Sequence, residues 1–187
     1  ETCGLDIIGA RLVREIEPGE VCWIDDDGYH IEQVVERGRE ALCIFEFIYF
    51  ARPDSVMKGQ TLYAARSRMG EELARESPVE ADLVIPVPDT GRSAAIGYAA
   101  ASGISFGEAL IKNRYIGRTF IFPDDQVRKQ GIRIKFNPLT TAIRGKRLVV
   151  VDDSIVRGNT TRSLVRVLFQ AGAREVHLRV TSPPLVF

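Results

Sequence analysis

One stretch constrains this chain more than any other: LVVVDDSIVRGNTTRSLV at 148–165. Four apolar residues run together without alternation, as in a parallel strand covered on both faces. The run ends on Asp152 and Asp153, passes through a short loop carrying Gly158, and enters a helix opening at Asn159 or Thr160. Open α/β sheets bind ligands at the carboxyl ends of their strands, which is where such a loop lies. Gly158 lets the backbone approach an anion, and Asn159, Thr160 and Thr161 add hydroxyl, amide and backbone N–H donors at a helix N-terminus. Carboxylates do not bind phosphate. Asp152 and Asp153 suit sugar hydroxyls and a Mg²⁺ that carries a polyphosphate. The Asp pair alone reads equally well as a turn and an N-cap; the whole string does not.

The rest of the chain supplies a sheet for that loop. DLVIPVP (82–88), EVHLRVTS (175–182) and CIFEFIYF (43–50) read as strands. Residues 60–76 read as a helix on Leu62, Ala65, Met69, Leu73 and Ala74, with Glu and Arg between them. Residues 93–101 form an Ala-rich helix stopped by Gly103, and 160–171 a helix ending at Gly172. Strands alternating with helices predict an α/β fold with a parallel sheet. Residues 1–38 read differently. DIIGARLVREI, the turn Pro18-Gly19, VCWI and the acidic turn 25–28 predict short β-like pieces at the edge of a β-rich domain. The polar stretch at 36–40 sets the boundary, giving 1–38 and 39–187 as two units. The opening ETCGLD reads as mid-domain sequence, so a fragment is expected.

A second loop repeats the logic of the first. VIPVPDTGRSAA (84–95) places Asp89, Thr90, Gly91 and Arg92 between a strand and a helix, suited to a pyrophosphate and its metal. Taken alone it is an ordinary strand–turn–helix with a cap. ALIKNRYIGRTFI (109–121) opens a long polar stretch and gathers Lys112, Asn113, Arg114, Tyr115, Arg118 and Phe120. Those residues either fold over an anion or form a solvated basic loop.

Lys plus Arg and Asp plus Glu both total 25, which argues against a nucleic-acid-coating protein. The three cysteines, Cys3, Cys22 and Cys43, form no C-x-x-C and predict neither a disulfide framework nor a self-contained zinc site. No apolar run approaches the roughly 18 residues of a membrane span, and no signal peptide is visible. A cytoplasmic protein without a membrane partner is expected.

The strand, acidic pair and Gly/Thr-rich loop resemble the type I phosphoribosyltransferases, which use 5-phosphoribosyl-1-pyrophosphate (PRPP). Longer strings narrow the resemblance: ETC-x-LD-x-x-GA, YFARPDS, RMGEELA, ADLVIPVPD, KNRY-x-GRTF, VVDDSIVRGNTT and AGAREVHLR-x-TSPP. Together they resemble the glutamine PRPP amidotransferase (amidophosphoribosyltransferase) family across essentially the whole chain. The resemblance implies a type I phosphoribosyltransferase fold preceded by the tail of a glutaminase domain. It implies transfer of glutamine-derived ammonia to PRPP in the first step of purine synthesis, in a homo-oligomer inhibited by purine nucleotides.

By carry-over, Asp152 and Asp153 bind ribose and, with Thr90, Mg²⁺. Arg157, Gly158, Asn159, Thr160 and Thr161 hold the 5′-phosphate, and Ser154 also binds PRPP. Asp89, Thr90, Gly91, Arg92, Lys112, Asn113, Arg114 and Tyr115 face PRPP, with Lys112, Arg114, Asp152 and Asp153 catalytic. Cys43 matches the first ligand of the family's [4Fe-4S] cluster. Its other ligands are not among these residues, so a buried thiol is expected at Cys43. Cys3 is expected to be a small buried residue rather than the glutaminase nucleophile.

Overall fold

The computed structural model describes residues 1–38, 41–113 and 136–184. In chain order the elements are α1 (Thr2–Ile7), β1 (Glu20–Asp25), β2 (Gly28–Gln33), a π-helical turn (Glu46–Phe50), β3 (Val56–Met57), β4 (Gln60–Thr61) and α2 (Leu62–Glu76). There follow β5 (Leu83–Pro86), α3 (Arg92–Ser102), β6 (Leu110–Lys112), β7 (Phe136–Pro138), α4 (Thr140–Ile143), β8 (Arg147–Asp152), α5 (Asn159–Gln170) and β9 (Glu175–Val180).

The central sheet is parallel, in the order β5–β8–β9. Leu83 faces Leu148 and Pro86 faces Val151 across the first pair, and Arg147 faces Glu175 across the second. Successive strand side chains point to opposite faces, so one apolar run serves two cores. Val84, Val149 and Val151 pack with Ala94, Ala95 and Tyr98 of α3 and Ala74 of α2. Leu83, Ile85, Leu148 and Val150 pack instead with Leu164 and Leu168 of α5, Ile143, Leu110 and Phe136. Leu148, Val149, Val150 and Val151 are all at 0% exposure, which is why β8 reads as continuously apolar rather than alternating. Burying each such side chain stabilises the fold by roughly 1.5–3 kcal/mol.

Helix α2 begins at Thr61, whose hydroxyl accepts from Ala64 N, and α3 ends at Gly103 in the left-handed region, φ 72°. The two helices cross at glycines. A Cβ on Gly70 would lie 1.8 Å from Ala94 O, and one on Gly97 would lie 1.9 Å from Ser67 O. Only hydrogen fits at either place, so these two residues set how closely α2 and α3 approach.

Two expectations are corrected. Residues 43–50 were expected as a strand, but 46–50 form a π-helical turn. Phe47 and Ile48 are buried, while Ile44, Tyr49 and Phe50 are exposed, so the run covers one patch on Leu62 and Ala65 rather than two sheet faces. A short apolar run does not distinguish strand from helix by periodicity. Residues 6–16 were expected to be β-like. Instead 2–7 are helical, and regular pairing begins only at Glu20. The expected β-like VCWI and acidic turn lie in a hairpin: β1 and β2 are antiparallel, and Asp27 N donates to Asp25 Oδ1 at 3.0 Å in the turn.

Gly70→Ala is expected to lower the unfolding free energy by roughly 1–3 kcal/mol or more through overpacking, read as a lower urea midpoint. An unchanged midpoint would show that the α2–α3 crossing is looser than described.

Candidate functional site

Because β5 and β8 are parallel neighbours, the loops that follow them emerge side by side at one edge of the sheet. The pairing extends past the strand, where Val87 N donates to Val151 O at 2.8 Å. The chain then turns sharply. The Pro88–Asp89 peptide is cis, and Gly91 N donates back to Val87 O at 3.1 Å. Gly91 is pressed against β8: a Cβ there would lie 2.4 Å from Val151 O. Glycine is required here by close approach of backbone, not by its φ angle. The 88–91 loop is thereby fixed to the carboxyl end of β8, and α3 starts at once with Arg92.

Side chains join the two loops. The Thr90 hydroxyl donates to Asp153 Oδ2 in a short contact. Asp153 Oδ1 accepts from the Ser154 hydroxyl at 2.5 Å, and Asp152 Oδ1 accepts from Asp153 N at 2.9 Å. The segment after β9 braces the pair from the far side, with Thr181 N donating to Asp152 O at 3.2 Å and Ser182 N to Asp153 O at 2.8 Å. Both carboxylates are half-buried. Asp89, Thr90, Gly91, Asp152, Asp153 and Ser154 are thus brought together.

The loop expected to hold a phosphate lies just beyond. Gly158 is the N-cap of α5 with φ 71° and ψ −7°, a conformation that glycine adopts without cost. No side chain caps this helix, so its first-turn N–H groups point outward with the partial positive charge of the helix end. Arg157, Asn159 and Thr160 are exposed beside it, and Thr161 is half-buried. Thr161 also borders an open groove of about 700 Å³ along α5, lined further by Arg162, Val165, Arg166, Phe169 and Gln170. None of the acidic or β5-loop residues lines that groove.

The cations are already engaged. Lys112 Nζ lies 2.5 Å from Asp89 Oδ2, and Arg92 Nη2 lies 2.5 Å from Glu108 Oε1. Both pairs are solvent-exposed and each is worth about 0–1 kcal/mol, so a polyanion can displace the carboxylates. Lys112 reaches the β5 loop itself. Arg92 is turned to Glu108, a partner that no sequence signal indicated. Asn113 is half-buried after β6. Arg114, Tyr115, Arg118 and Phe120 lie outside the described residues.

The donor set suits a hard cation. Among the described residues no group of three or more His, Cys, Asp or Glu stands together as a protein-only metal cage. Two aspartates and a hydroxyl fit Mg²⁺, which keeps waters and takes the rest of its shell from ligand phosphates. The three cysteines do not by themselves make an iron–sulfur site. Cys3 is buried as expected, but Cys43 is exposed, correcting the expected buried thiol, and Cys22 is exposed too. Cys43 lies three residues before the π-helical turn, whose buried face is taken by Phe47 and Ile48. One thiolate cannot build a Cys₄ site.

Comparison with known proteins follows the same outline. No family model matches the chain. An amidophosphoribosyltransferase of Synechocystis sp. is 56% identical over 185 residues, covering 99% of this chain and 37% of that protein. Those of Archaeoglobus fulgidus and Drosophila melanogaster are 51% and 53% identical, each over 100% of this chain and over 41% and 35% of their own lengths. Among solved structures, one described as the allosteric regulatory enzyme of purine biosynthesis superposes with a TM-score of 0.91 at 50% identity, covering 100% of this chain and 40% of that one. The glutamine PRPP amidotransferase of B. subtilis complexed with ADP and GMP gives 0.90 at 50% identity, covering 98% and 40%. The chain therefore spans well under half the length of these relatives. Among the described residues no helix is long and apolar enough to cross a membrane.

Thr90→Val keeps the shape of the β5 loop and removes its hydroxyl from Asp153. It is expected to cost about 1 kcal/mol in urea unfolding without Mg²⁺. In a double-mutant cycle with Asp153→Asn the two changes should couple by at least about 0.5 kcal/mol; simple additivity would mean that the contact holds nothing together.

Proposed function

This chain belongs to the amidophosphoribosyltransferase family, and from that premise we propose that it carries the PRPP site of an enzyme transferring ammonia to PRPP. The products are 5-phosphoribosylamine and pyrophosphate, with glutamate released where the full protein draws ammonia from glutamine; this is the first step of de novo purine synthesis. The fold is of the type I phosphoribosyltransferase kind, a parallel sheet flanked by helices with its ligand loops at the carboxyl edge. The observation that carries the proposal is the contact between Thr90 and Asp153, which joins the two phosphate-type loops into one site.

The roles follow from charge and reach. The open N-terminus of α5, with Arg157, Gly158, Asn159, Thr160 and Thr161, holds the 5′-phosphate. That remote binding energy positions the ribose. Asp152 and Asp153 accept from the ribose hydroxyls and balance the positive charge that develops at C1 as pyrophosphate leaves. Asp152, Asp153 and Thr90, together with PRPP, would hold Mg²⁺, which would supply positive charge against the pyrophosphate. Asp89, Gly91, Arg92 and Lys112 take the pyrophosphate side, a role proposed also for Asn113, Arg114 and Tyr115. Lys112 would exchange Asp89 for a phosphate oxygen, keeping a charge-assisted bond. Ammonia attacks C1 from the face opposite the leaving group.

Residues 1–38 are proposed as the tail of a glutaminase domain and 39–187 as the phosphoribosyltransferase domain. Within 1–38 only Cys3 is buried, while Ile7, Ile8 and Val13 are each 75% exposed. A segment with no core of its own and so much exposed apolar surface belongs against further chain. The full protein is proposed to be a cytoplasmic homo-oligomer that binds purine nucleotides, a reading supported by the relative complexed with ADP and GMP. In it, Cys43 would be one thiolate of a [4Fe-4S] cluster whose other ligands lie outside these residues.

Isothermal titration with PRPP, with and without Mg²⁺, tests the reading. Binding should require Mg²⁺ and weaken by on the order of 10²-fold, about 2.8 kcal/mol, in Asp152→Ala/Asp153→Ala. Unchanged affinity in a folded double variant would overturn the assignment.

A further inference from the structure

Two arginines are engaged in opposite ways. Arg66 of α2 is buried at 3% exposure and donates to the carbonyls of Glu46, Phe47 and Ala51, a fork that fixes the π-helical turn on α2. Arg92, the first residue of α3, is exposed and meets a single carboxylate, with Nη2 2.5 Å from Glu108 Oε1. Lys112 Nζ lies 2.5 Å from Asp89 Oδ2. The two exposed pairs join the same two stretches of chain, 89–92 and 108–112.

Glu108 is set in place by backbone. Val84 N donates to Ser105 O at 2.8 Å and Gly107 N to Val84 O at 2.9 Å, so 105–107 runs beside β5 on the edge away from β8. Ala109 and Leu110 are buried, and Leu139 N donates to Ala109 O at 2.9 Å. The β5 loop is therefore flanked by an acid on each side. Asp153 reaches it through Thr90, and Glu108 through Arg92. These contacts differ in kind. The Thr90 hydroxyl is neutral, so its bond to Asp153 leaves the cations of the site untouched. Glu108 occupies the one guanidinium that directly follows Gly91. A guanidinium fork takes carboxylate and phosphate in the same geometry, so Glu108 and a phosphate compete for one partner.

We propose that Glu108 is a positioning residue that sets the selectivity of this site, a built-in competitor for Arg92 that disfavours polyphosphates carrying no divalent cation. This rests on the reading of the site as a PRPP site. A metal-free pyrophosphate brings its full charge toward Asp89, Glu108, Asp152 and Asp153, and must also draw Arg92 from Glu108. The Mg²⁺ complex carries less charge, is repelled less, and gains less from an arginine set free. Glu108 touches no reacting atom; it acts through Arg92.

Calorimetric titration with inorganic pyrophosphate, in EDTA and in Mg²⁺, tests this. Glu108→Gln alters only an exposed pair and keeps the fold. It should tighten metal-free pyrophosphate by about fivefold and the Mg²⁺ complex by less than about twofold. Glu108→Gln/Arg92→Gln should lose the gain, because the freed guanidinium is its source. Glu80→Gln removes the same charge at the other end of β8, where Glu80 meets Arg147, and should change neither affinity. The proposal is overturned if Glu108→Gln binds metal-free pyrophosphate no better than the unsubstituted chain, or if both forms tighten equally. It is overturned too if the gain survives in the double variant, or if Glu80→Gln reproduces it. If the unsubstituted chain binds neither PRPP nor pyrophosphate in Mg²⁺, the functional reading fails and this proposal falls with it. PRPP binding beside an unresponsive Glu108→Gln sinks this proposal alone.

Discussion

The backbone ladder between β5 and β8 is the constraint on which everything else depends. It aligns Leu83 to Pro86 with Leu148 to Val151, runs on through Val87 N to Val151 O, and leaves no room for a side chain at Gly91. Two loops far apart in sequence are thereby set beside each other, with Thr90 in reach of Asp153, 63 residues on. The cores on the two sheet faces serve that alignment. Val149 and Val151 are held from the α2–α3 side, and Leu148 and Val150 from the α5 side, so β8 has no freedom to slip. A one-residue slip would exchange the two faces and carry Asp152 and Asp153 out of place.

Charge at the site is arranged as pairs that are weak alone and exchangeable. Lys112 sits on Asp89 and Arg92 on Glu108, both in solvent. Hydroxyl and backbone donors hold the acidic pair: Thr90 and Ser154 donate to Asp153, and Asp153 N donates to Asp152. Such a site presents carboxylates to sugar hydroxyls and a hard metal, and keeps its cations for the phosphates that arrive with it.

Much of this was legible in the sequence, and the parts that were not share a cause. The strand expected at 148–153 and the helices expected at 60–76 and 93–101 follow from apolar runs, 3–4 spacing and Gly punctuation, and the structure has them at Arg147–Asp152, Leu62–Glu76 and Arg92–Ser102. The stretch 43–50 did not form as expected, because an apolar run of that length fits either a strand or a helical turn, and only Arg66 and the Leu62–Ala65 patch decide it. Arg66 itself reads as one more charged residue on the polar side of a helix. Its burial depends on a turn 15 to 20 residues away. The same holds for Glu108 and Arg92, and for the exposure of Cys43: tertiary partners, not local pattern, fix them.

The central claim is that the two loops form one ligand site. Heteronuclear NMR of the backbone amides during titration with PRPP and Mg²⁺ addresses it most directly. The account predicts that Gly91 in the β5 loop and Gly158, Thr160 and Thr161 at the start of α5 shift together, along one binding curve, and only when Mg²⁺ is present. If only the α5 residues respond, or if inorganic phosphate alone reproduces the full pattern, the loops do not act as a single site and the account is wrong.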